Sequence, residues 1–224
     1  MAPLERARAA LRLAERRVGV QHRDQVVTLT PPTPAPITEL LPDGDLPVGA
    51  AVTVQDSTFL MCWLLGATQG GRWIALVGWP ELSPLAMSEA DVNLERVFVV
   101  PNVGVRAAAV LAALIDGCEI VVAGPRLTLT LTPSEQRRLL ARARQHGSTL
   151  LSPLAWEGAA MTFDVERTKW SGLDHGDGWM REAQLTVVRH SNAGGARRSF
   201  DVVRHGTTAP TATAIRAVAG RLTG

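Results

Sequence analysis

The side chains able to do chemistry are few and scattered. The histidines, His22, His146, His175, His190 and His205, never pair at helical spacing, and Cys62 and Cys118 stand apart in apolar runs. That pattern leaves no metal site and no disulfide framework. His175-Gly176-Asp177 reads as turn chemistry. No serine sits in Gly-x-Ser-x-Gly; Ser57 follows a strand-like run but lacks the flanking glycines. No Gly-x-Gly-x-x-Gly opens a helix. One stretch has the layout of a ligand site: Gln55, Asp56, Ser57 and Thr58, between the strand-like Ala50–Val54 and a helix over Thr58–Ala67. A phosphate loop at such a junction needs Gly-x-x-x-x-Gly-Lys-Ser/Thr. Its backbone N–H groups cradle phosphates and its lysine meets the terminal ones. Here no glycine occurs from Ala50 to Leu65, and the only lysine is Lys169. Asp56 without that lysine would repel a phosphate. The expectation is a degenerate phosphate-loop position with no catalytic residue, no metal and no cofactor.

The elements around that junction alternate. Leu46–Gly78 reads as strand, tight loop, helix, Gly-rich turn and strand, a βαβ unit that needs a right-handed crossover onto a parallel sheet. Trp73–Val77 is apolar throughout, as a strand buried on both faces should be. A helix over Leu82–Glu89, a strand over Arg96–Val100 and a helix over Val105–Asp116 follow, the last turning Leu111, Leu114 and Ile115 inward. Glu119–Val122 is the next strand. Thr132-Pro133-Ser134-Glu135 starts a helix that runs to Gln145, with Thr as cap, Pro in the first turn and Glu reaching back. Leu139, Leu140 and Ala143 face its core side; Arg137, Arg138, Arg142 and Arg144 do not. Thr149–Ser152 completes the alternating part. Then Met161–Arg167, Ala183–His190 and Ser199–Arg204 read as an antiparallel meander. The fold class is α/β: a doubly wound, mostly parallel sheet extended by a C-terminal antiparallel meander, with an N-terminal helical arm.

Outside this core, residues 3–18 form a helix with Leu4, Ala7, Leu11, Ala14 and Val18 in a narrow stripe and Arg6, Arg8, Arg12, Arg16 and Arg17 on its other faces. A β-like piece, Gln25–Leu29, and the proline ladder of residues 31–36 follow; the ladder is a semi-rigid linker. A last helix, Pro210–Leu222, places Ile215, Val218 and Leu222 on one side. The division is 1–36 arm and linker, 37–207 core and 208–224 C-terminal helix. The 224 residues carry a net charge of +2, unevenly: residues 1–24 hold six Arg against three acids, residues 25–100 two Arg against eight acids. Basic ends and an acidic middle suggest a protein partner or a nucleic-acid backbone at the ends; ordinary solvated helix faces would read the same way. No apolar run reaches the roughly 18 residues of a membrane span, no signal-peptide pattern opens the chain, and the two cysteines read as core groups of a reducing compartment. A cytoplasmic protein is expected.

Leu46-Pro47-Val48-Gly49-Ala50-Ala51-Val52-Thr53-Val54 resembles the lead-in to the recombinase phosphate loop, and Ala90-Asp91-Val92-Asn93-Leu94-Glu95-Arg96-Val97 that family's entry to its third strand. Ile120-Val121-Val122 sits where a Walker B strand would end in Asp, but Ala123 or Gly124 takes the acid's place; near the recombinases' catalytic glutamate stands Trp79, with Glu81 offset. From about Leu40 to Val203 the chain is similar to the RecA ATPase core, and closest to the shortened RecA-like proteins of actinobacterial mutagenesis cassettes, the ImuA-prime family. Recombinases bind single-stranded DNA through two mobile loops. Here the first is reduced to Gly124–Leu131, and Glu157-Gly158-Ala159-Ala160 nearly replaces the second. The resemblance implies a non-catalytic accessory or scaffold protein of translesion synthesis in DNA-damage-induced (SOS) mutagenesis. It implies binding to the pseudo-polymerase ImuB, and through it to an error-prone DnaE-type polymerase and the sliding clamp, near the nucleoid when DNA is damaged. Candidate partner or DNA contacts are Arg6, Arg12 and Arg16, Arg137, Arg138, Arg142 and Arg144, and Ile215, Val218 and Leu222. Self-association through the N-terminal helix follows if that helix swaps as in recombinases. The alternative is a sequence-independent DNA binder using Arg-to-phosphate contacts. A nucleotide hydrolase with an unusual loop is the third reading.

Overall fold

A computed structural model describes residues 34–174, 177–191 and 197–205. The helices expected at 3–18 and 210–222, and with them Arg6, Arg12, Arg16, Ile215, Val218 and Leu222, lie outside the described residues, as does His175-Gly176. The strands are β1 (Pro34–Ala35), β2 (Ala51–Gln55), β3 (Ile74–Val77), β4 (Val97–Val100), β5 (Ile120–Ala123), β6 (Thr149–Ser152), β7 (Met161–Asp174), β8 (Asp177–Ser191) and β9 (Arg198–His205). The helices are α1 (Thr58–Thr68), α2 (Pro84–Glu89), α3 (Ala107–Gly117), α4 (Pro125–Thr130) and α5 (Pro133–His146). The strands form one mixed sheet in the order β1-β9-β8-β7-β2-β6-β5-β3-β4. From β7 to β4 every neighbouring pair is parallel; β7-β8-β9 is the expected antiparallel meander on one side.

Strand side chains alternate between faces, and both faces are covered. Val52, Val54, Ile74, Leu76, Ile120, Val122 and Leu151 pack with α1 and α2 on the first face. Ala51, Ala75, Val77, Val121, Ala123 and Leu150 pack with α3, α4 and α5 on the second. Burial on both sides is why β2, β3, β5 and β6 read as nearly continuous apolar runs rather than alternating ones. Helix α1 is apolar all round because it is enclosed. Gly66 lets it close on the α2 end: a Cβ there would lie 1.6 Å from the Ala90 carbonyl oxygen. Cys62 and Cys118 are buried free thiols, and burial pushes Cys62 up to about 11. Helix α5 has the expected capping box at Thr132 and Glu135 and ends on Gly147 at φ 71.

Four details differ from the sequence reading. The segment 124–131, expected as a reduced loop, contains α4. Its alternating Leu-Thr-Leu-Thr hides a six-residue helix. That helix is started by Pro125 and held by Thr128, whose hydroxyl donates to the Gly124 carbonyl at 2.9 Å. Helix α3 begins at Ala107, after a 3-10 turn over Gly104–Arg106. Strands β7 and β8 run well past their expected limits, because register shifts between Val165 and Arg167 and between Ser171 and Leu173 break the alternation that marks a strand in sequence. Pro34–Ala35, from the proline ladder, pairs with Asp201 and Val202 at the sheet's edge, where a missing N–H is tolerated. Residues 153–160 carry the chain from Ser152, beside Thr53, to Met161, beside Val52. This segment crosses β2 without a helix; it buries Trp156 and Ala159 on the second face, and Ala160 donates to the Ala51 carbonyl at 2.8 Å.

Candidate functional site

The junction after β2 is positioned as the sequence suggested. Strand β2 lies inside the parallel sheet, between β6 and β7, and delivers Gln55, Asp56 and Ser57 to the start of α1. Asp56 takes the left-handed conformation at φ 58 and is exposed, as is Thr58; Gln55 and Ser57 are half-buried. Ser57 is the cap of α1: its Oγ accepts from the Leu60 amide at 3.0 Å, and its carbonyl accepts from Met61 at 3.1 Å. An amide that a phosphate cradle would present is thus already bonded to the chain's own hydroxyl. Beside the junction, Asp164 of β7 stands opposite Gln55 in register and meets His190 Nε2 at 2.8 Å.

The neighbouring strand ends are packed shut. Gly124 follows β5, where the resemblance places a Walker B acid. Any Cβ on it would lie 2.3 Å from the Gly78 carbonyl oxygen and 2.7 Å from Trp79 Cβ. Gly78, at φ 67, is held as closely against Leu127 of α4, 2.8 Å from its would-be Cβ. Trp79 is buried, and Glu81 is turned outward into an ion pair with Arg126 at 2.7 Å. This crevice between β5 and β3, where connections leave toward opposite faces, is the kind of switch point that holds ligands in open α/β sheets. Here it is filled by backbone and indole. Beyond it a cleft of about 580 Å³ opens at the ends of β3 and β4, among Pro80, Pro101, Asn102, Arg126 and Leu127.

The four arginines of α5 are exposed but not equivalent. Arg142 reaches Asp116 at the end of α3 through two nitrogens at 2.5 Å, and Arg137 reaches Glu157 of the crossover at 3.1 Å. The Arg142 hydrogen bond holds the Asp116 carboxyl below the usual carboxylate range, with His146 adding at 3.3 Å. Arg138 and Arg144 make no ion pair among the described residues. Sequence reasoning missed an aromatic cluster next to the junction. Phe59, in the first turn of α1, meets Trp63 at 5.7 Å and Trp170 at 5.2 Å between ring centroids, and the Arg204 guanidinium lies 6.0 Å from the Phe59 ring. The register shift before Arg167 turns Trp170 toward α1. No local signal marks that shift, so only cross-strand register could have found the contact.

Residues 39–158 match the model of a family described as the MT3502 N-terminal domain. The match covers more than half of the chain. The chain belongs to this family. The family region runs from the 3-10 turn at Ile37–Leu40 to the crossover before β7, so the junction, Gly124 and α5 all lie within it and the meander lies beyond. A Mycobacterium tuberculosis protein, "Uncharacterized protein Rv3395c", is 34% identical over 126 residues, 54% of this chain and 61% of the relative. The chain therefore spans less than two thirds of that relative's length.

Proposed function

We propose that this chain is a RecA-like accessory protein without catalysis, an ImuA-prime-type scaffold of a translesion mutasome that acts by binding an ImuB-type pseudo-polymerase. The observation that carries the reading is the double filling of the places where nucleotide chemistry would be done. Ser57 caps α1 in place of a phosphate cradle, and at Gly124 there is no room for a carboxylate to hold magnesium. A parallel sheet of this connectivity, with β2 inside it and a meander on one side, supports the RecA-like assignment made from the wording of the sequence. A fold kept without the groups that grip triphosphates acts through its surfaces. Contact with the error-prone polymerase and the clamp is then indirect, through the pseudo-polymerase, in the cytoplasm and at damaged DNA.

Co-expression with an ImuB-type pseudo-polymerase, followed by gel filtration, tests the binding. Co-elution that is lost when 208–224 are removed is the expected result; separate elution at micromolar concentration overturns it. A melting scan with Mg-ATP tests the missing chemistry. A ligand at 100 times its Kd stabilises the native state by about 2.7 kcal/mol, so a rise in Tm at millimolar Mg-ATP would count against the proposal. The second reading, direct DNA binding through α5, is favoured by the exposed Arg138 and Arg144, which make no ion pair among the described residues.

A further inference from the structure

The last strand of the sheet is left open on one side. Strand β4 pairs with β3 alone and stands at the sheet's edge. The Val100 carbonyl accepts from the Gly78 amide, so in an alternating backbone Phe98 and Val100 turn their polar groups toward β3, and Val97 and Val99 turn theirs outward. The Val97 amide donates back to the Leu94 carbonyl. The Val97 carbonyl and both backbone groups of Val99 have no partner among the described residues. The side chains are open too. Val97 packs on the first-face core and Val100 on the second, so Val99 projects on the first face and Phe98 on the second. Val99 is 54% exposed and Phe98 49%. Phe98 stacks on Trp73 at 4.7 Å between ring centroids, and the Arg96 guanidinium covers the Trp73 ring at 5.5 Å. No charge, proline or bulge lies within Val97–Val100 to keep another strand away. An extended strand laid along β4 takes up the free backbone groups and covers both side chains at once.

We propose that β4 pairs antiparallel with β4 of a second copy of this chain, about a two-fold axis that sets Phe98 opposite Phe98. The register follows from which groups are free. Residues opposite each other in an antiparallel pair turn their backbone groups the same way, both toward the other strand or both away. Outward Val99 must therefore meet an outward residue. Set opposite the second copy's Val97, each Val99 amide donates to a free Val97 carbonyl. Val99 then covers Val97 on the first face. On the second, Phe98 meets Phe98 at the closer, non-hydrogen-bonded spacing and continues the Trp73 stack into the second copy. Arg96 faces Val100 and Glu95 faces Pro101, so no like charges are opposed. An axis at Val99 would set Val97 against Pro101, which has no amide, and an axis at Val97 would set against each other two amides already given to Leu94. The chain's own ends do not supply the strand. The strand-like Gln25–Leu29 ends five residues before Pro34 of β1, at the opposite edge of the nine-stranded sheet. Five residues span at most about 18 Å, and the sheet is about 38 Å wide. Residues 210–222 read as a helix. The edge is instead complementary to itself, apolar to apolar and free amide to free carbonyl, as an isologous contact requires. Four-residue strands bury less than a standard interface, so the dimer is weak.

The test is sedimentation of the full chain from about 10 to 300 µM, chosen to cover weak contacts of this size. Wild type is expected to pass from monomer to dimer and no further. Phe98→Lys and Phe98→Glu each set like charges opposite one another across the axis and are expected to weaken the dimer about tenfold. Mixed in equal amounts, the two variants set Lys opposite Glu, and their heterodimer is expected to be about fivefold tighter than either variant alone. Val27→Asp, in the other strand-like segment, is expected to leave association unchanged. Phe98 is half exposed at the edge, and thermal melting of each variant checks that the fold is kept. A wild type that stays monomeric or grows beyond a dimer, a mixture that associates no better than its components, or a Val27→Asp variant that loses the dimer would each overturn the proposal.

Discussion

Gly124 gives the sharpest quantitative expectation. Its φ of −64 is open to any residue, so Gly124→Ala adds one methyl group and no backbone strain. The added carbon would start 2.3 Å from the Gly78 carbonyl oxygen, 2.6 Å from its carbonyl carbon and 2.7 Å from Trp79 Cβ. Two of those atoms are backbone at the end of a fully buried strand, so β3 and β5 must separate or the β3 turn must shift. Overpacking of this kind costs about 1–3 kcal/mol, and backbone contacts put this site at the upper end, about 2–3 kcal/mol. For a chain of this size that corresponds to a Tm drop of about 4–12 °C. Urea unfolding should show a lower midpoint with an unchanged slope. Gly117→Ala is the control: no atom lies within 4 Å of its added Cβ. A Gly124→Ala variant within about 0.5 kcal/mol of wild type, the range of an innocuous surface change, would show that the strand ends yield easily. The steric exclusion of an acid from this position would then be wrong.

Ser57→Ala removes the α1 cap and should destabilise by about 1 kcal/mol, with Ser57→Gly costing only a few tenths; chemical denaturation measures both. The pH dependence of stability has a defined sign at Asp116. The Arg142 hydrogen bond lowers its folded-state pKa below 3.8, so its contribution is present above the unfolded-state value and is lost as pH falls through the folded one. Asp116→Asn should flatten the acid limb of a Tm-against-pH curve below about pH 4. If α5 binds DNA, Arg138→Ala and Arg144→Ala should each reduce the slope of log affinity against log salt by about 1. Arg142→Ala should reduce it less, because Asp116 already neutralises that charge; equal slopes for all three would remove the distinction.

The sequence alone determined the alternation of strands and helices, the parallel core and the meander. Those features depend on hydrophobic periodicity and local caps, such as Thr132 with Glu135, which are written over a few consecutive residues. It also determined that the β2 junction lacks the glycines and lysine of a phosphate loop, since that is a matter of residue identity. Helix α4 escaped because a six-residue helix with alternating Leu and Thr has too little periodicity to show. Only the tertiary structure decided that a side chain on Gly124 would meet the Gly78 backbone, that Arg142 pairs with Asp116 of α3, and that Trp170 meets Phe59. Each joins segments distant along the chain, through packing distance or strand register, and no local pattern encodes where such segments meet.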